Sequence, residues 1–150
     1  MKKTLILAAL LAVLPASAEE LTGRIHVVDG DTLWHYDCAV GEKCKPEKIR
    51  LLDIDAPESF RSTCEAELVA GLRAKARLLE LVSKRPVSII RCEEHGDTCE
   101  DRFGRTLARI KTPEGEVGAI LLKEGLALRY VPGRTTDRPA PTSGSALHAL

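Results

Sequence analysis

Carboxylates and arginines that could cleave a phosphodiester are concentrated in three short segments of the chain. The segments are VDGDT at 28–32, RLLDIDAPE at 50–58 and DRFGR at 101–105. Taken singly, each is typical of something plainer: a hairpin turn, a strand running into a solvated loop, and a charged hairpin. Taken together, they supply hard oxygen ligands for a divalent cation, a general base, and cationic groups for phosphate oxygens. The chemistry that this combination predicts is metal-assisted phosphodiester hydrolysis.

The residue types assign a role to each member of this set. Asp31 and Asp55 are hard oxygen ligands suited to Ca²⁺, with Mg²⁺ as the alternative. Glu58 could act as general base on a water molecule. Arg50 and Arg105 carry planar guanidinium groups that can each hold two phosphate oxygens and stabilise the charge of the transition state. The four histidines lie at unrelated places, so no Ser/His/Asp or Cys/His nucleophile set is expected.

The spacing of two of these residues constrains the local backbone. Arg50 and Asp55 are five positions apart, and in a regular strand residues at odd spacing point to opposite faces. A shared site therefore requires a bulge or a strand end near Asp53.

The elements that must position these segments can be predicted from periodicity and turn residues. Two helices are expected, one that starts at a capping box at 62–65 and carries apolar residues at helical spacing, and a short one at 117–124 capped by Gly125. The apolar residues of the first helix are Leu68, Leu72, Ala76, Leu79 and Val82. Strands are expected at 22–28, 32–36, 48–54, 86–91 and 105–110, with a short extended segment at 126–131.

This order of elements predicts a mainly β, α+β fold. The expected architecture is a five-stranded Greek-key barrel of the oligonucleotide/oligosaccharide-binding (OB) type, with one helix between strands 3 and 4 and a second, short helix. Element order alone would also suit an open α+β sheet.

The two ends of the chain differ from its middle. Residues 1–18 have the form of a signal peptide, with Lys2 and Lys3, an apolar run at 5–14, and small residues up to Ala18. The run is shorter than the ~20 residues that span a bilayer, and the small residues at its end favour cleavage over an uncleaved anchor helix. Pro, Gly, Ser and Thr predominate at 132–150 and predict a disordered tail after one domain at 19–131. We expect an exported protein, periplasmic or secreted, that has no membrane attachment once the signal is removed.

Charge and aromatic content limit how the protein could hold a polyanion. The chain has 22 basic and 22 acidic residues, and loss of Lys2 and Lys3 leaves 20 basic residues and a net charge of −2. This excludes binding of nucleic acid by bulk positive charge, as in a histone-like coat. Aromatic residues make up only 3%, so a broad base-stacking platform is not expected either. Contacts with nucleic acid must be local.

Five cysteines remain after signal removal, an odd number that leaves at least one unpaired in a monomer. Local disulfides between Cys38 and Cys44 and between Cys92 and Cys99 are the default prediction in an exported protein. Cys64 is then the free thiol of a monomer, or a site for an intermolecular disulfide. A zinc site that combines cysteines with His35 or His95 is the alternative, although the C-x-x-C spacing typical of zinc sites is absent.

The three motifs, in this order and spacing, resemble those of the staphylococcal nuclease (thermonuclease) family, and the resemblance covers about residues 22–131. It implies a five-stranded OB barrel and Ca²⁺-dependent hydrolysis of single-stranded or locally open DNA and RNA to 3′-phosphate products. It also implies that Asp31, Asp55 and the Ala56 carbonyl hold calcium, that Glu58 is the general base or water-orienting carboxylate, and that Arg50 and Arg105 bind phosphate. Substrate contacts are implied for Arg102, Phe103 and Tyr130.

The sequence departs from the family pattern in three places. Ala56 stands where the type enzyme has threonine, which preserves a carbonyl ligand and loses a side-chain contact to water. Phe103 replaces a tyrosine and removes a hydroxyl that could bind the substrate's other phosphate. The family's long C-terminal helix has no counterpart at 132–150.

Three functions are compatible with some or all of these residues. A metal-dependent, sugar-nonspecific nuclease uses the whole set, whereas a catalytically inactive OB module that binds nucleic acid or oligosaccharide has no need of both a metal pair and a base. A cysteine-based redox or metal-storage protein would be expected to show C-x-x-C. The sequence therefore favours the nuclease.

Overall fold

The computed structural model describes residues 18–94 and 97–131. The predicted tail at 132–150, His95, and all of the predicted signal peptide except Ala18 lie outside the described residues. Within the described residues, no helix is both long enough and apolar enough to cross a membrane.

Two helices and eleven strands form the described part of the chain. The helices are α1 (Glu65–Ser83) and α2 (Val117–Lys123). The strands of four or more residues are β2 (Arg24–Asp29), β3 (Thr32–Tyr36), β4 (Glu47–Leu51), β6 (Ser88–Arg91) and β9 (Thr106–Thr112). Two-residue strands make up the rest: β1 (Glu19–Glu20), β5 (Ile54–Asp55), β7 (Glu93–Glu94), β8 (Asp97–Thr98), β10 (Gly115–Glu116) and β11 (Leu128–Arg129).

The main sheet has the strand order β1-β6-β9-β4-β3-β2, with β10 paired to β9. Its pairs are antiparallel except β4 with β9, which run parallel. Each predicted strand contains or overlaps one of the five longer strands, and α1 lies between β5 and β6. The sheet curls into a half-barrel and, with the two helices, fits the expected mainly β, α+β fold. The closed five-stranded Greek-key barrel stays a prediction.

Helix α1 shows the largest difference from the sequence prediction. Of the five apolar residues whose helical spacing predicted this helix, only Val82 is buried, and Leu72 and Leu79 are half exposed. The buried residues are Gly71, Ala74, Leu78, Leu81 and Val82. The packed face begins with two small residues, Gly71 and Ala74, where the helix approaches the loop after β5 and the sheet, and large apolar residues are buried only toward its C-terminal end.

The start of α1 also differs in detail. The predicted capping box joins Ser62 to Glu65, but the N-cap is Cys64, whose side chain makes no capping hydrogen bond. The local contact is shifted by one to two residues, since the backbone N–H and the hydroxyl of Thr63 both donate to Glu67 Oε2. The end of α2 is as expected: Glu124 is the C-cap and Gly125 follows in the left-handed region, at φ 69°.

The cysteine pairing follows the sequence prediction. Cys38 is bonded to Cys44 and Cys92 to Cys99, while Cys64 is a free and exposed thiol. Both disulfides are intramolecular, which points to an oxidising compartment.

Candidate active site

The strand that carries Arg50 breaks before it reaches Asp55, as the spacing of the two residues requires. Strand β4 ends at Leu51, and Asp53 adopts the left-handed region with φ 63° before β5 resumes at Ile54. An aspartate tolerates this conformation better than a β-branched residue would. The break brings Asp55 to the side of Arg50, whose Nη2 lies 3.0 Å from Asp55 Oδ1. The predicted strand end near Asp53 is confirmed.

Arg50 joins the two aspartates predicted to hold a metal. Its Nη1 forms an ion pair with Asp31 Oδ1, and its Nη2 donates to Asp55 and to the carbonyl of Ile54, at 3.0 and 3.3 Å. The other Asp31 oxygen, Oδ2, accepts a hydrogen bond of 2.8 Å from the backbone N–H of Ala56. Strands β3 and β4 fix these positions, because Thr32, next to Asp31, lies opposite Arg50 in the ladder.

Asp31 is nearly inaccessible, with 3% of its surface exposed. Burial raises the pKa of this carboxyl, and the attraction of Arg50 and the N–H of Ala56 do not fully offset it. The protein groups around Asp31 therefore do not stabilise its ionised form enough to offset the cost of burial.

Arg105 reaches the same place from the other side. It follows the turn at 101–105, where Asp101 Oδ1 accepts hydrogen bonds from the N–H groups of Phe103 and Arg105. Asp101 Oδ2 accepts from Arg105 Nε at 2.7 Å. Burial alone would raise the pKa of Asp101, but these donors outweigh it and the pKa lies below its usual value. Asp101 is therefore an ionised anchor that orients the guanidinium.

A threonine hydroxyl connects the two arginines. Arg105 Nη1 donates to Thr32 Oγ1 at 3.3 Å, and Thr32 Oγ1 donates to Asp31 Oδ1 at 3.0 Å. Asp31 in turn contacts Arg50. Hydrogen bonds and ion pairs therefore join four of the five predicted charged residues into one network that passes through Thr32. The four are Arg105, Asp31, Arg50 and Asp55; Glu58 is the fifth.

Glu58 lies in the loop after β5, and hydrogen bonds connect this loop to the end of β2. The N–H of Ser59 donates to both carboxylate oxygens of Asp29, at 3.2 and 3.4 Å. Burial and then the charge of Asp29 raise the pKa of Glu58, with Asp31 adding to the effect and Arg50 opposing it. A carboxylate whose pKa is raised is a better proton acceptor near neutral pH.

One open cavity of about 700 Å³ contains the predicted set. It is lined by acidic, basic and aromatic side chains, among them Asp29, Asp31, Arg50, Asp55, Glu58 and Arg105, with Trp34, Lys48, Phe60, Arg61 and Phe103. Each of the five predicted catalytic and metal-binding side chains therefore reaches this cavity. Buried Ala56, whose carbonyl was predicted as a ligand, neighbours Asp55.

The residues predicted to contact substrate line a second cavity of about 510 Å³ beside the first. Arg102, Phe103 and Tyr130 all lie in its wall, and Arg50, Phe103 and Arg105 line both cavities. Phe103 is 62% exposed, with the guanidinium carbons of Arg102 and Arg105 at 4.7 and 5.3 Å from its ring centre. Tyr130 is placed by its N–H, which donates to the carbonyl of Asp53 at 2.9 Å.

Sequence reasoning missed the parts of the site that act through backbone contacts. Asp29 was interpreted as a turn residue, yet it holds the loop of Glu58. Gly71 was not singled out, yet a Cβ there would lie 2.6 Å from the carbonyl carbon and oxygen of Glu58. A second glycine, Gly30, would place a Cβ 2.7 and 2.8 Å from the Cβ atoms of Ala74 and Ala56. Of these three residues, only Asp29 and Gly30 belong to a motif that is recognisable in the sequence, the D-G-D triplet.

The donor set fits a hard divalent cation. Asp31 and Asp55 offer carboxylate oxygens close enough to share one guanidinium, and the pKa of Asp31 and of Glu58 is raised, so added positive charge would stabilise the ionised forms. Within residues 18–94 and 97–131, no three His, Cys, Asp or Glu side chains are grouped as a metal cluster. The predicted set is compatible with this, since it has two side chains and one carbonyl.

Comparison with known proteins gives a consistent result. The model of a family described as "Staphylococcal nuclease homologue" matches residues 48–142. The chain is 33% identical over 138 residues to "Micrococcal nuclease" of Shigella flexneri, covering 85% of this chain and 69% of that protein. It is 33% identical over 141 residues to "Protein ParB" of Escherichia coli, covering 87% and 70%. An "Uncharacterized endonuclease" of Haemophilus influenzae is 32% identical over 115 residues, covering 76% and 55%.

Proposed function

Because the chain belongs to the staphylococcal nuclease family, we propose that it is an exported, Ca²⁺-dependent endonuclease that hydrolyses DNA and RNA to 3′-phosphate products. The observation that carries this proposal is the convergence of Arg50, Arg105, Glu58, Asp31 and Asp55 on one cavity. The names of two relatives, a micrococcal nuclease and an uncharacterized endonuclease, support the same reaction class.

Glu58 takes the proton in the proposed reaction. Its carboxylate accepts a proton from a water molecule, the water oxygen forms a bond to phosphorus, and the bond from phosphorus to the 5′ oxygen breaks. The phosphate stays on the 3′ side, and the 5′ oxygen leaves as a hydroxyl after it takes up a proton from solvent. The raised pKa of Glu58 suits this role because it brings the carboxyl closer to the pH at which the enzyme works.

Arg50 and Arg105 bind and polarise the phosphate. Each guanidinium is already oriented by a carboxylate, Arg105 by Asp101 and Arg50 by Asp31 and Asp55. Orientation before substrate binding reduces the reorganisation that the reaction requires. Asp31, Asp55 and the Ala56 carbonyl would hold Ca²⁺, or Mg²⁺ as the alternative, and the bound ion would supply a Lewis acid that offsets phosphate charge.

Export and the monomeric state are part of the same proposal. The two intramolecular disulfides favour an oxidising compartment, periplasmic or extracellular. The chain is proposed to act as a monomer, with exposed Cys64 available for an intermolecular disulfide.

The proposal is tested by cleavage in Ca²⁺ and in chelator. The protein without residues 1–18 is incubated with single-stranded DNA and with RNA, first with Ca²⁺ or Mg²⁺ and then with excess chelator. We expect both polymers to be cut with Ca²⁺ and neither in chelator, and the new 3′ ends to be extended by a polymerase only after phosphatase treatment. Binding of either polymer without cleavage under any divalent ion would contradict the nuclease proposal and favour a catalytically inactive OB module.

Gly71 provides a test of how the site is positioned. In Gly71→Ala the new methyl group meets the backbone of Glu58, which cannot be moved aside as a side chain can. We expect the free energy of unfolding to fall by about 1–3 kcal/mol and turnover to fall by about 10-fold or more, since small displacements of a catalytic group are costly.

The measurements are urea unfolding and the turnover rate on a saturating oligonucleotide. Ala76→Ser adds one heavy atom at an exposed position of the same helix and should leave both unchanged. Normal turnover in a folded Gly71→Ala protein would show that α1 does not hold Glu58 in place.

A further inference from the structure

The outer face of β2, β3 and β4 carries a group of aromatic and basic side chains that the proposed reaction does not use. Residues alternate along each strand, so that Val27, Leu33, His35 and Ile49 are buried on the inner face. The outer face has Arg24 and His26 on β2, Trp34 and Tyr36 on β3, and Lys48 on β4. We name these five residues the β2–β4 strip.

The strip is arranged in two rows across the strands. Lys48 lies opposite Trp34, and Trp34 lies opposite His26, with 5.8 Å between the Trp34 and His26 ring centres. In the next row Tyr36 lies opposite Arg24, whose guanidinium carbon is 5.0 Å from the Tyr36 ring centre. Each row thus combines a ring of β3 with at least one basic side chain.

The strip continues directly from the candidate active site. The pair formed by Thr32 and Arg50 is the row that precedes the pair of Trp34 and Lys48 in the same ladder. Successive rows are two residues, or about 7 Å, apart along a strand. Trp34 and Lys48 also line the cavity that contains Arg50 and Glu58. A polymer whose phosphate is bound at Arg50 would therefore reach the strip within about one nucleotide.

The charge of the strip suits a polyanion. Arg24 and Lys48 are exposed, and the strip contains no carboxylate. Strands β2–β4 carry only two acidic residues, of which Asp29 belongs to the candidate site and Glu47 is bonded to Arg91 at 2.8 and 2.9 Å. The protein as a whole is not basic, so this local excess of positive charge next to the site is informative.

We propose that the β2–β4 strip binds the single-stranded nucleic acid on one side of the scissile phosphate. Lys48 holds the neighbouring phosphate, and Trp34 and then Tyr36 stack successive bases. The position of the scissile phosphate beside the strip rests on the proposed function, whereas binding of nucleic acid by the strip does not. A single strand is favoured over a duplex because stacking on Trp34 and Tyr36 requires bases with an open face.

Binding can be measured without cleavage, because Trp34 is the sole tryptophan of the chain. In chelator, titration with oligothymidylate should quench Trp34 fluorescence through stacking. Lys48→Ala should weaken binding and reduce the slope of log K against log salt by about 0.7, the value for one phosphate contact on a single strand. The control, Lys123→Ala on α2, removes an exposed lysine that lines neither cavity and should change neither quantity.

Cleavage gives a second measurement. Trp34→Ala should lower kcat/KM by about 10-fold on an oligothymidylate, as expected for one lost stacking contact. The loss should be smaller on a nitrophenyl ester of thymidine 5′-phosphate, which has no second nucleotide to lie along the strip, and Lys123→Ala should leave kcat/KM unchanged on both substrates. Lys48→Ala, at an exposed position, should show the same difference between the two substrates and does not disturb packing.

The two proposals fail separately. Cleavage by the wild-type protein with no quenching of Trp34, or with equal effects of Lys48→Ala on both substrates, would contradict nucleic-acid binding by the strip. The nuclease proposal would be unaffected by that result. Quenching and a lysine-dependent salt slope without cleavage under any divalent ion would support the strip and overturn the nuclease.

Discussion

Glu58→Gln is expected to lower the turnover rate by about 10²–10⁴-fold, the usual contribution of a positioned general base. Glutamine has nearly the same shape and keeps a hydrogen-bonding oxygen, but it cannot accept the proton of the attacking water. Glu58 is not one of the groups that hold the phosphate, and its replacement removes negative charge near Asp29 and Asp31. KM should therefore stay the same or fall while kcat falls.

The experiment compares kcat and KM on a single-stranded oligonucleotide with saturating Ca²⁺. Glu93→Gln is the matched control, since Glu93 is exposed on β7 and lines neither cavity. Retention of wild-type kcat by Glu58→Gln would remove Glu58 from the role of base, because no property of the glutamine side chain could replace its proton affinity.

The break in the chain that brings Asp55 beside Arg50 could be predicted from sequence because it depends on short-range rules. The five-residue spacing of Arg50 and Asp55 demanded a break near Asp53, and the backbone supplies one with a positive φ at that residue. The β3 boundaries followed from the D-G turn and from the β-forming residues after it. These features are decided within a few residues, so periodicity and turn chemistry suffice.

The packing of α1 could not be predicted in the same way. Hydrophobic periodicity favours a face with large apolar residues, whereas this helix packs on the site through Gly71 and Ala74. The reason lies outside the helix: Gly71 lies against the backbone of Glu58, and Ala74 lies so close to Gly30 that a Cβ on that glycine would be 2.7 Å from the Ala74 Cβ. Close approach between distant segments selects small residues, and a single sequence does not state which segment will be near.

The links between the motifs also depended on the fold. The sequence placed Arg50 and Arg105 in one site by chemistry alone, but in the structure Thr32 links Arg105 to Asp31 through two hydrogen bonds, and Asp31 pairs with Arg50. Thr32 sits in that position because β3 pairs with β4, so that Thr32 lies opposite Arg50. The β2–β4 strip depends on the same register, since it sets Trp34 beside Lys48. The low aromatic content excluded a broad stacking platform, and the strip is a narrow one.

Arg105→Ala is expected to lower the turnover rate by about 10²–10³-fold, the range for loss of one oriented donor to the transition state. The guanidinium contributes charge and a planar pair of N–H donors, so Arg105→Lys should recover only part of the loss. Arg73→Ala removes an exposed arginine of α1 that lines neither of the two cavities around the site and should leave turnover unchanged. Equal rates for Arg105→Ala and Arg73→Ala would show that Arg105 does not touch the reacting phosphate.

The same variant can separate the role of Asp101 from that of Arg105. Asp101 contacts the arginine through Nε, Nη2 and the backbone N–H, at 2.7, 2.6 and 3.1 Å. If Asp101 acts only by orienting Arg105, Asp101→Asn should lower turnover in the wild-type background and have no further effect in Arg105→Ala. The double-mutant cycle then gives a coupling free energy equal to the whole effect of Asp101→Asn on the activation free energy. Additive losses would instead mean that Asp101 acts on the substrate independently, and stability curves for all four proteins would show whether the turn at 101–105 stays folded.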